Sequence, residues 1–371
     1  MQYNHVCFES FGYTIPEEIV TSEEIEHRLE PLYRRLRLPE GRLELMTGIR
    51  ERRFWNVGTL PSQKSIESGE KAIRAAGIDR REIGALVHGS VCRDHLEPAT
   101  ASGVHHGLQL PRECMIYDVS NACLGILNGI VQVANMIELG QIRAGLVVGS
   151  EGSRQLVETT IETLNQDETL TRQSIKNAVA SLTIGSGSCA VLLTHQSISQ
   201  TDNSLLAVAA RANTEYHDLC HSGSDEAVAS GMQPLMETNS EKLMYEGIAT
   251  GVETFKDFLN ETNWSHDDLD KTVCHQVGLA HRKMMLDELG ISPSIDFATV
   301  EWLGNTGSVA LPITLAIALE QGHVQPLDNV GLLGIGSGIN SIMLALQWQK
   351  SLIASSLDDP RASTVFSGQM G

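Results

Sequence analysis

An internal repeat constrains this chain more than any other feature. ALVHGS around Val87 resembles KTVCHQ around Val273, and IGSGSCAVLL from Ile184 resembles IGSGINSIMLAL from Ile335. Matched segments in the same order mean two related halves, each building one supersecondary unit that must be buried against the other. The first pair lies 186 residues apart and the second 151, so the first half holds about 35 extra residues. The polar stretch from Glu151 to about Thr183, with SRQLVETTIETLNQDETLTRQS, is the candidate insertion. An excursion of that length carries an interface or binding role, or is simply a solvated helical segment. The polar run HQSISQTDN from His195 places the boundary between halves, which gives units of 1–198 and 199–350. After Ser351 the periodicity is lost, and 351–371 is expected to be a poorly ordered tail.

Within each half, short β-branched runs (Ala85 to Val87, Ala144 to Val148, Val273 to Cys274, Val330 to Leu333) alternate with helix-period segments such as Lys64 to Ala76 and Pro312 to Gln321. That alternation predicts an α/β fold. The 27 Lys and Arg against 46 Asp and Glu leave a net charge of −19, which argues against nucleic acid as a partner. The most apolar stretch, Ala122 to Ala134, contains Asn128 and Gln132 and is too short to span a bilayer. The N-terminus lacks both the basic and the long apolar region of a signal peptide. Seven cysteines, an odd number without a CxxC pair, fit reduced thiols in a cytoplasm, where one of them is available as a nucleophile.

Four places carry candidate chemistry. Met115 to Val119 read as a strand, Ser120 to Cys123 as a turn and Leu124 onward as a helix, which puts Cys123 at a helix N-terminus. There the macrodipole is expected to lower the thiol pKa, although the same pattern also suits an inert buried cysteine. His275 follows a strand in VCHQVGLAH, where an imidazole can donate a hydrogen bond or act as a core or capping residue. Asn305 sits in a Gly-Asn-Thr-Gly loop that opens a helix. The run GIGSGIN, Gly334 to Asn340, offers backbone N–H groups to an oxyanion and is weak as a dinucleotide fingerprint.

Taken together, TGIRERR (Thr47 to Arg53), DVSNACLG (Asp118 to Gly125), HQV (His275 to Val277), GNTGSVALP (Gly304 to Pro312) and GIGSGIN resemble the thiolase superfamily, within it the ketoacyl-ACP synthase III branch. The resemblance runs to about Gln349 and implies the thiolase fold, a duplicated five-layered α-β-α-β-α body. It also implies an acyltransferase with Cys123 as the acylated nucleophile. His275 and Asn305 would donate to the thioester carbonyl of the second substrate, and the backbone N–H groups of Cys123 and Ser337 would hold the oxyanion.

The segment SVCRDHLEPATAS, Ser90 to Ser102, and ANTEYHDLC, Ala212 to Cys220, resemble one subgroup more closely: the head-to-head condensing OleA-type enzymes of long-chain olefin biosynthesis. That likeness implies a homodimer in which Glu97, supplied across the interface, removes an α-proton from a second acyl-CoA. The implied reaction is a non-decarboxylative Claisen condensation of two acyl-CoA thioesters to a 2-alkyl-3-ketoacyl-CoA, with no redox cofactor and no metal. The alternative is a decarboxylative 3-oxoacyl synthase III using a malonyl thioester, in which Glu97 is an ordinary loop carboxylate. A glutamate base is shared with HMG-CoA-synthase-like enzymes, but the TGIRERR and GNTGSVALP contexts resemble that branch less. A non-catalytic acyl-binding subunit and a simple thioesterase are further rivals.

Two departures from the synthase III pattern bear on the substrate: the first disfavours a carrier protein, and the second leaves the coenzyme A contacts undefined. The chain reads His275-Gln276-Val277-Gly278-Leu279-Ala280 where synthase III enzymes usually read His-Gln-Ala-Asn-Leu-Arg, and Met46 stands where many of them have an arginine. Arg50, Arg52 and Arg53 lie nearby and read as solvated. His217, Cys220 and His221 at helical spacing are a weak zinc candidate, and His105-His106 reads as a surface or interface pair. Met232, Met236, Met284 and Met285 suit an acyl channel or core filling.

Overall fold

The β-branched runs of both halves become strands of one hydrogen-bonded sheet. The computed structural model describes residues 1–172, 174–223 and 236–354, so most of the tail expected at 351–371, and Met232, lie outside the described residues. The strands are β1 (Val6–Thr14), β2 (Ile83–His88), β3 (Met115–Asp118), β4 (Ala144–Glu151), β5 (Gly187–His195), β6 (Ser204–Ala212), β7 (Lys271–Cys274), β8 (Asn329–Gly336) and β9 (Asn340–Gln347). Their spatial order is β7-β8-β9-β6-β1-β5-β4-β2-β3, with a short Ile353–Ala354 segment beside β1. In the first half β3, β2 and β4 are parallel, and β5 and β1 are antiparallel additions. In the second half β7 and β8 are parallel, while β9 and β6 are antiparallel additions. The strands β2 and β7, which carry ALVH and KTVC, therefore hold equivalent places, as do β5 and β9. At the place equivalent to β3 the described residues of the second half show a parallel bridge between Thr272 and Asp296. The halves join where β1 and the residues before it meet β6, Cys7 pairing with Ser204 and Gln2 with Ala207, and again at a bridge between Ile184 and Asn305.

Helices fill the spaces between and outside the strands. They are α1 (Pro61–Ala76), α2 (Thr100–Gly107), α3 (Gly125–Glu138), α4 (Arg154–Gln166), α5 (Ser240–Thr262), α6 (Leu279–Leu289) and α7 (Ala310–Glu320). Proline at the first helical position starts α1 and Gly77 in the left-handed region ends it. Helix α7 is buried at every position from Ala310 to Leu319, which is why its apolar residues show no preferred face. Three apolar clusters mark the layers. One joins α1 and α2 to the first half's strands, one joins α5 and α6 to the second half's strands, and the largest holds α3 and α7 between strands of both halves. Stacked in this way, helices and strands give the five α-β-α-β-α layers that the resemblance implies.

The candidate insertion is more regular than its polarity suggests. Val157, Thr160, Ile161 and Leu164 line one face of α4 and are buried. Val157, Ile161 and Leu164 pack with Ile175 and Leu182 on Val20, Ile25, Leu29, Leu32, Leu43 and Phe54 as a fourth apolar cluster. Glu151 is not part of a loop: it is the last residue of β4. Among the described residues no helix is long and apolar enough to cross a membrane.

Candidate active site

The turn carrying Cys123 is tightly specified. Ala122 takes φ +44°, a left-handed conformation costing a non-glycine residue roughly 1 kcal/mol, and Gly125 begins α3 immediately afterwards. A Cβ on Gly125 would lie 2.8 Å from the Gly89 carbonyl oxygen, so two glycines let α3 start directly against the end of β2. Leu124 packs against Gly334 and Gly336 of β8, where a Cβ would meet it at 2.8 and 3.0 Å. Asn121 completes the attachment. Its Nδ2 donates to Asn128 Oδ1 at 2.7 Å and to Asn340 Oδ1 at 3.0 Å, and Asn340 Nδ2 donates to the Ser337 carbonyl at 3.1 Å. The cysteine turn and the glycine-rich turn holding Ser337 are thus one hydrogen-bonded unit.

His275 reaches the same strand from the other side, its N–H donating to the Leu333 carbonyl at 3.1 Å. Gln276 locks the segment: its Oε1 accepts from Thr299 and Val300 N–H at 3.0 and 3.1 Å, and its Nε2 donates to the Cys274 carbonyl at 2.6 Å. The short helix Val300–Leu303 that follows delivers Asn305. Asn305 N–H donates to the Thr183 carbonyl at 3.0 Å, and its carbonyl accepts from Gly185 at 2.9 Å. Its Oδ1 accepts from Gly307 N–H at 3.0 Å, so Nδ2 is the end of the amide left to donate.

The electrostatics correct one expectation. Burial, and after it the Glu151 carboxylate, push the Cys123 thiol up to about 12, although its own N–H acts in the opposite sense. The helix N-terminus does not win because desolvation and a nearby negative charge both disfavour the thiolate. Burial holds His275 down to about 3, helped by its neighbour His281, and His281 down to about 4. Their rings meet edge to face at 6.1 Å, and His281 Nδ1 is buried without a partner. Both imidazoles are neutral at working pH, which suits His275 to donating a hydrogen bond rather than carrying charge.

Those two histidines give a stability prediction. Below the ordinary histidine pKa of 6.5 the unfolded chain binds protons that the folded chain refuses, so stability falls as pH falls from about 6.5 toward 4. Each group contributes up to about 1.4 kcal/mol per pH unit in that window. Urea midpoints at pH 7, 6 and 5 should decline, and His281→Phe should reduce the slope; equal midpoints would rule the linkage out.

Several candidates lie elsewhere. Glu97 is exposed near the tip of the loop between β2 and α2, beside Leu96 at 44% exposure, and no hydrogen bond or ion pair among the described residues holds its carboxylate. The loop itself is pinned: Asp94 Oδ1 accepts from Ser62 N–H at 2.9 Å, and Asp118 accepts from Thr100 and Ala101 N–H at 2.8 and 2.9 Å. His217, Cys220 and His221 do not share a helix face, because Cys220–Ser222 is a strand paired with Met236–Thr238. No cluster able to hold a metal is present among the described residues. Arg52 is not solvated: it is buried, donates to Ser22 Oγ at 3.1 Å, and burial lowers it to about 10. Arg53 is also buried, next to Glu51 at 3.4 Å, and only Arg50 of the three is exposed. Met285 belongs to the outer core of the second half with Met284 packed against it, whereas Met236 is half-buried in the short ribbon. His105 Nε2 pairs with the Pro111 carbonyl at 3.0 Å. All seven cysteines are unpaired.

Glu151 and Gln276 are the site residues that spacing did not single out. The available signal for Glu151 was a carboxylate at the C-terminal end of a sheet strand, the edge at which α/β sites assemble.

Comparison with known proteins agrees with this geometry. Residues 63–215 match the family model of the thiolase N-terminal domain, and residues 259–348 match that of the 3-oxoacyl-[acyl-carrier-protein] synthase III C terminal. An acyl-CoA:acyl-CoA alkyltransferase of Shewanella oneidensis is 42% identical over 94% of this chain and 100% of its own. A cysteine-to-serine variant of OleA from Xanthomonas campestris, solved with bound lauric acid and lauroyl-CoA, superposes with a TM-score of 0.87 at 32% identity, covering 93% of this chain and 100% of that one. A 3-oxoacyl-(acyl carrier protein) synthase III from Xanthomonas oryzae pv. oryzae superposes with a TM-score of 0.87 at 33% identity, covering 94% and 100%.

Proposed function

The chain belongs to the thiolase-fold condensing enzymes, alongside the acyl-CoA:acyl-CoA alkyltransferases and 3-oxoacyl synthases III, and from that membership we propose that it joins two fatty acyl-CoA thioesters head to head. In the first step Cys123 Sγ attacks one thioester carbonyl. The Sγ–C bond forms, the carbon–sulfur bond to coenzyme A breaks, and the thiol proton leaves with the departing coenzyme A. Backbone N–H groups of Cys123 and Ser337 stabilise the tetrahedral oxyanion. In the second step Glu97 takes an α-proton from the other acyl-CoA while His275 and Asn305 donate to its thioester oxygen. The carbanion attacks the acyl-Cys123 carbonyl, the new carbon–carbon bond forms, and Cys123 is released and reprotonated. Two acyl-CoA molecules give a 2-alkyl-3-ketoacyl-CoA and one free coenzyme A, and no bond change requires a redox cofactor or a metal.

Glu97 is the observation that carries this reading. Decarboxylation of a malonyl group needs no carboxylate base, whereas deprotonating an α-C–H does. The exposed position of Glu97 fits a base used by a second copy. Edge strand β3 runs beside the Glu97 loop and exposes Met115 (53%) and Ile116 (36%), an apolar, unpaired edge that a partner would cover in a homodimer. Unpaired thiols suit a reducing compartment such as the cytoplasm.

Purified protein incubated with one long-chain acyl-CoA and no malonyl donor should release coenzyme A and yield a β-keto acid or ketone by mass analysis. Product only on addition of a malonyl thioester would favour the decarboxylative reading, which the synthase III relative keeps in view.

A further inference from the structure

Glu151 is a buried carboxylate, 5% exposed, that the mechanism above does not use. Four donors converge on it. Its Oε1 accepts from Ser308 Oγ at 2.5 Å, Val91 N–H at 3.0 Å and Ser308 N–H at 3.3 Å, and its Oε2 accepts from Cys92 N–H at 3.1 Å. That is about the full complement a carboxylate accepts. Its main chain is held as well, because Trp55 Nε1 donates to its carbonyl at 3.0 Å. Gly307, at φ +59°, wraps so closely that a Cβ there would lie 3.2 Å from Glu151 Cγ.

The donors come from two different loops. Ser308 stands just after Asn305, and Val91 and Cys92 are the root of the loop that carries Glu97. Neighbouring contacts reinforce the second attachment: Ser150 N–H donates to Ser90 Oγ at 2.8 Å and Gly152 N–H to Cys92 Sγ at 3.3 Å. The Glu151 carboxylate also raises the nucleophile's thiol.

We propose that Glu151 is a positioning residue that fixes, with one side chain, the Asn305 loop of its own site and the root of the loop that hands Glu97 to the partner's site. The inference rests on the condensing, dimeric reading above. A glutamine would turn an NH2 toward donors and break at least one attachment, whereas an aspartate keeps both oxygens one methylene short.

Mixed dimers separate the two roles. When a Cys123→Ala chain is paired with a chain whose Cys123 is intact, only the intact site is acylated, and its base comes from the Cys123→Ala chain. Glu151→Gln placed in the Cys123→Ala chain should lower condensation ~100-fold, the scale of a misplacement near 1 Å, while the intact chain still acylates at the control rate. Glu151→Asp in the same chain should recover part of that loss. Unchanged condensation with Glu151→Gln in that chain overturns the inference. If the Glu151→Gln chain fails to assemble, Glu151→Asp decides in the same design: reduced condensation with unchanged melting supports the proposal, and full activity overturns it. The control dimer with both Glu151 residues intact tests the premise separately, since no condensation there overturns the dimeric reading itself.

Discussion

Glu97→Gln is expected to leave Cys123 able to take an acyl group while condensation falls by ~10²- to 10⁴-fold, the range associated with loss of a positioned general base. Coenzyme A release should stop after a single stoichiometric burst, and intact-protein mass analysis should find the acyl adduct on Cys123. The two halves of the reaction separate because acylation needs only a nucleophile and an oxyanion site, whereas the second step must remove a proton from carbon. In an isolated chain Glu97 is exposed to solvent, and only a partner's site would bring an α-C–H within its reach. Mixing Glu97→Gln with Cys123→Ala chains should then restore condensation, because one site in each mixed dimer has both groups. Full condensation by Glu97→Gln dimers from acyl-CoA alone would remove Glu97 from the mechanism.

Local pattern carried much of this site. The strand, turn and helix around Cys123 follow from a β-branched run, a small-residue turn and an apolar helix, and the repeat led to the equivalent strand bearing His275. What depended on groups brought together from afar was not legible. The thiol of Cys123 was expected to be lowered by its helix, yet Glu151, 28 residues on, and the packed surroundings raise it. Arg52 looked like one of three surface arginines, but the short ribbon of Glu18–Thr21 with Glu51–Phe54 turns it inward onto Ser22. The His217, Cys220, His221 spacing suits a helix only if that segment is one, and its pairing with Met236–Thr238 makes it a strand. Gln276 read as part of a motif, while its function of tying the His275 segment to the Asn305 segment needs Thr299 and Val300 beside it.

Cys123→Ala should abolish both acyl-adduct formation and condensation, with a loss on the order of 10⁶-fold, the size seen when a covalent nucleophile is removed. Serine should not rescue it, since a hydroxyl is a far poorer nucleophile without an adjacent strong base, and His275 held down to about 3 is not one. The raised thiol adds a signature of its own. With Cys123 pushed up to about 12, the resting thiolate fraction at neutral pH is small, so iodoacetamide should modify this residue slowly. The modification rate should climb about tenfold per pH unit up to the limit of protein stability, because each unit multiplies the thiolate by that factor. Glu151→Gln removes one of the three influences raising the thiol, burial and Cys220 being the others, and should shift that profile toward lower pH. Rapid, pH-independent alkylation at pH 7 would instead mean a thiolate already formed in the resting enzyme, and the proton that leaves with coenzyme A would then have to come from another group.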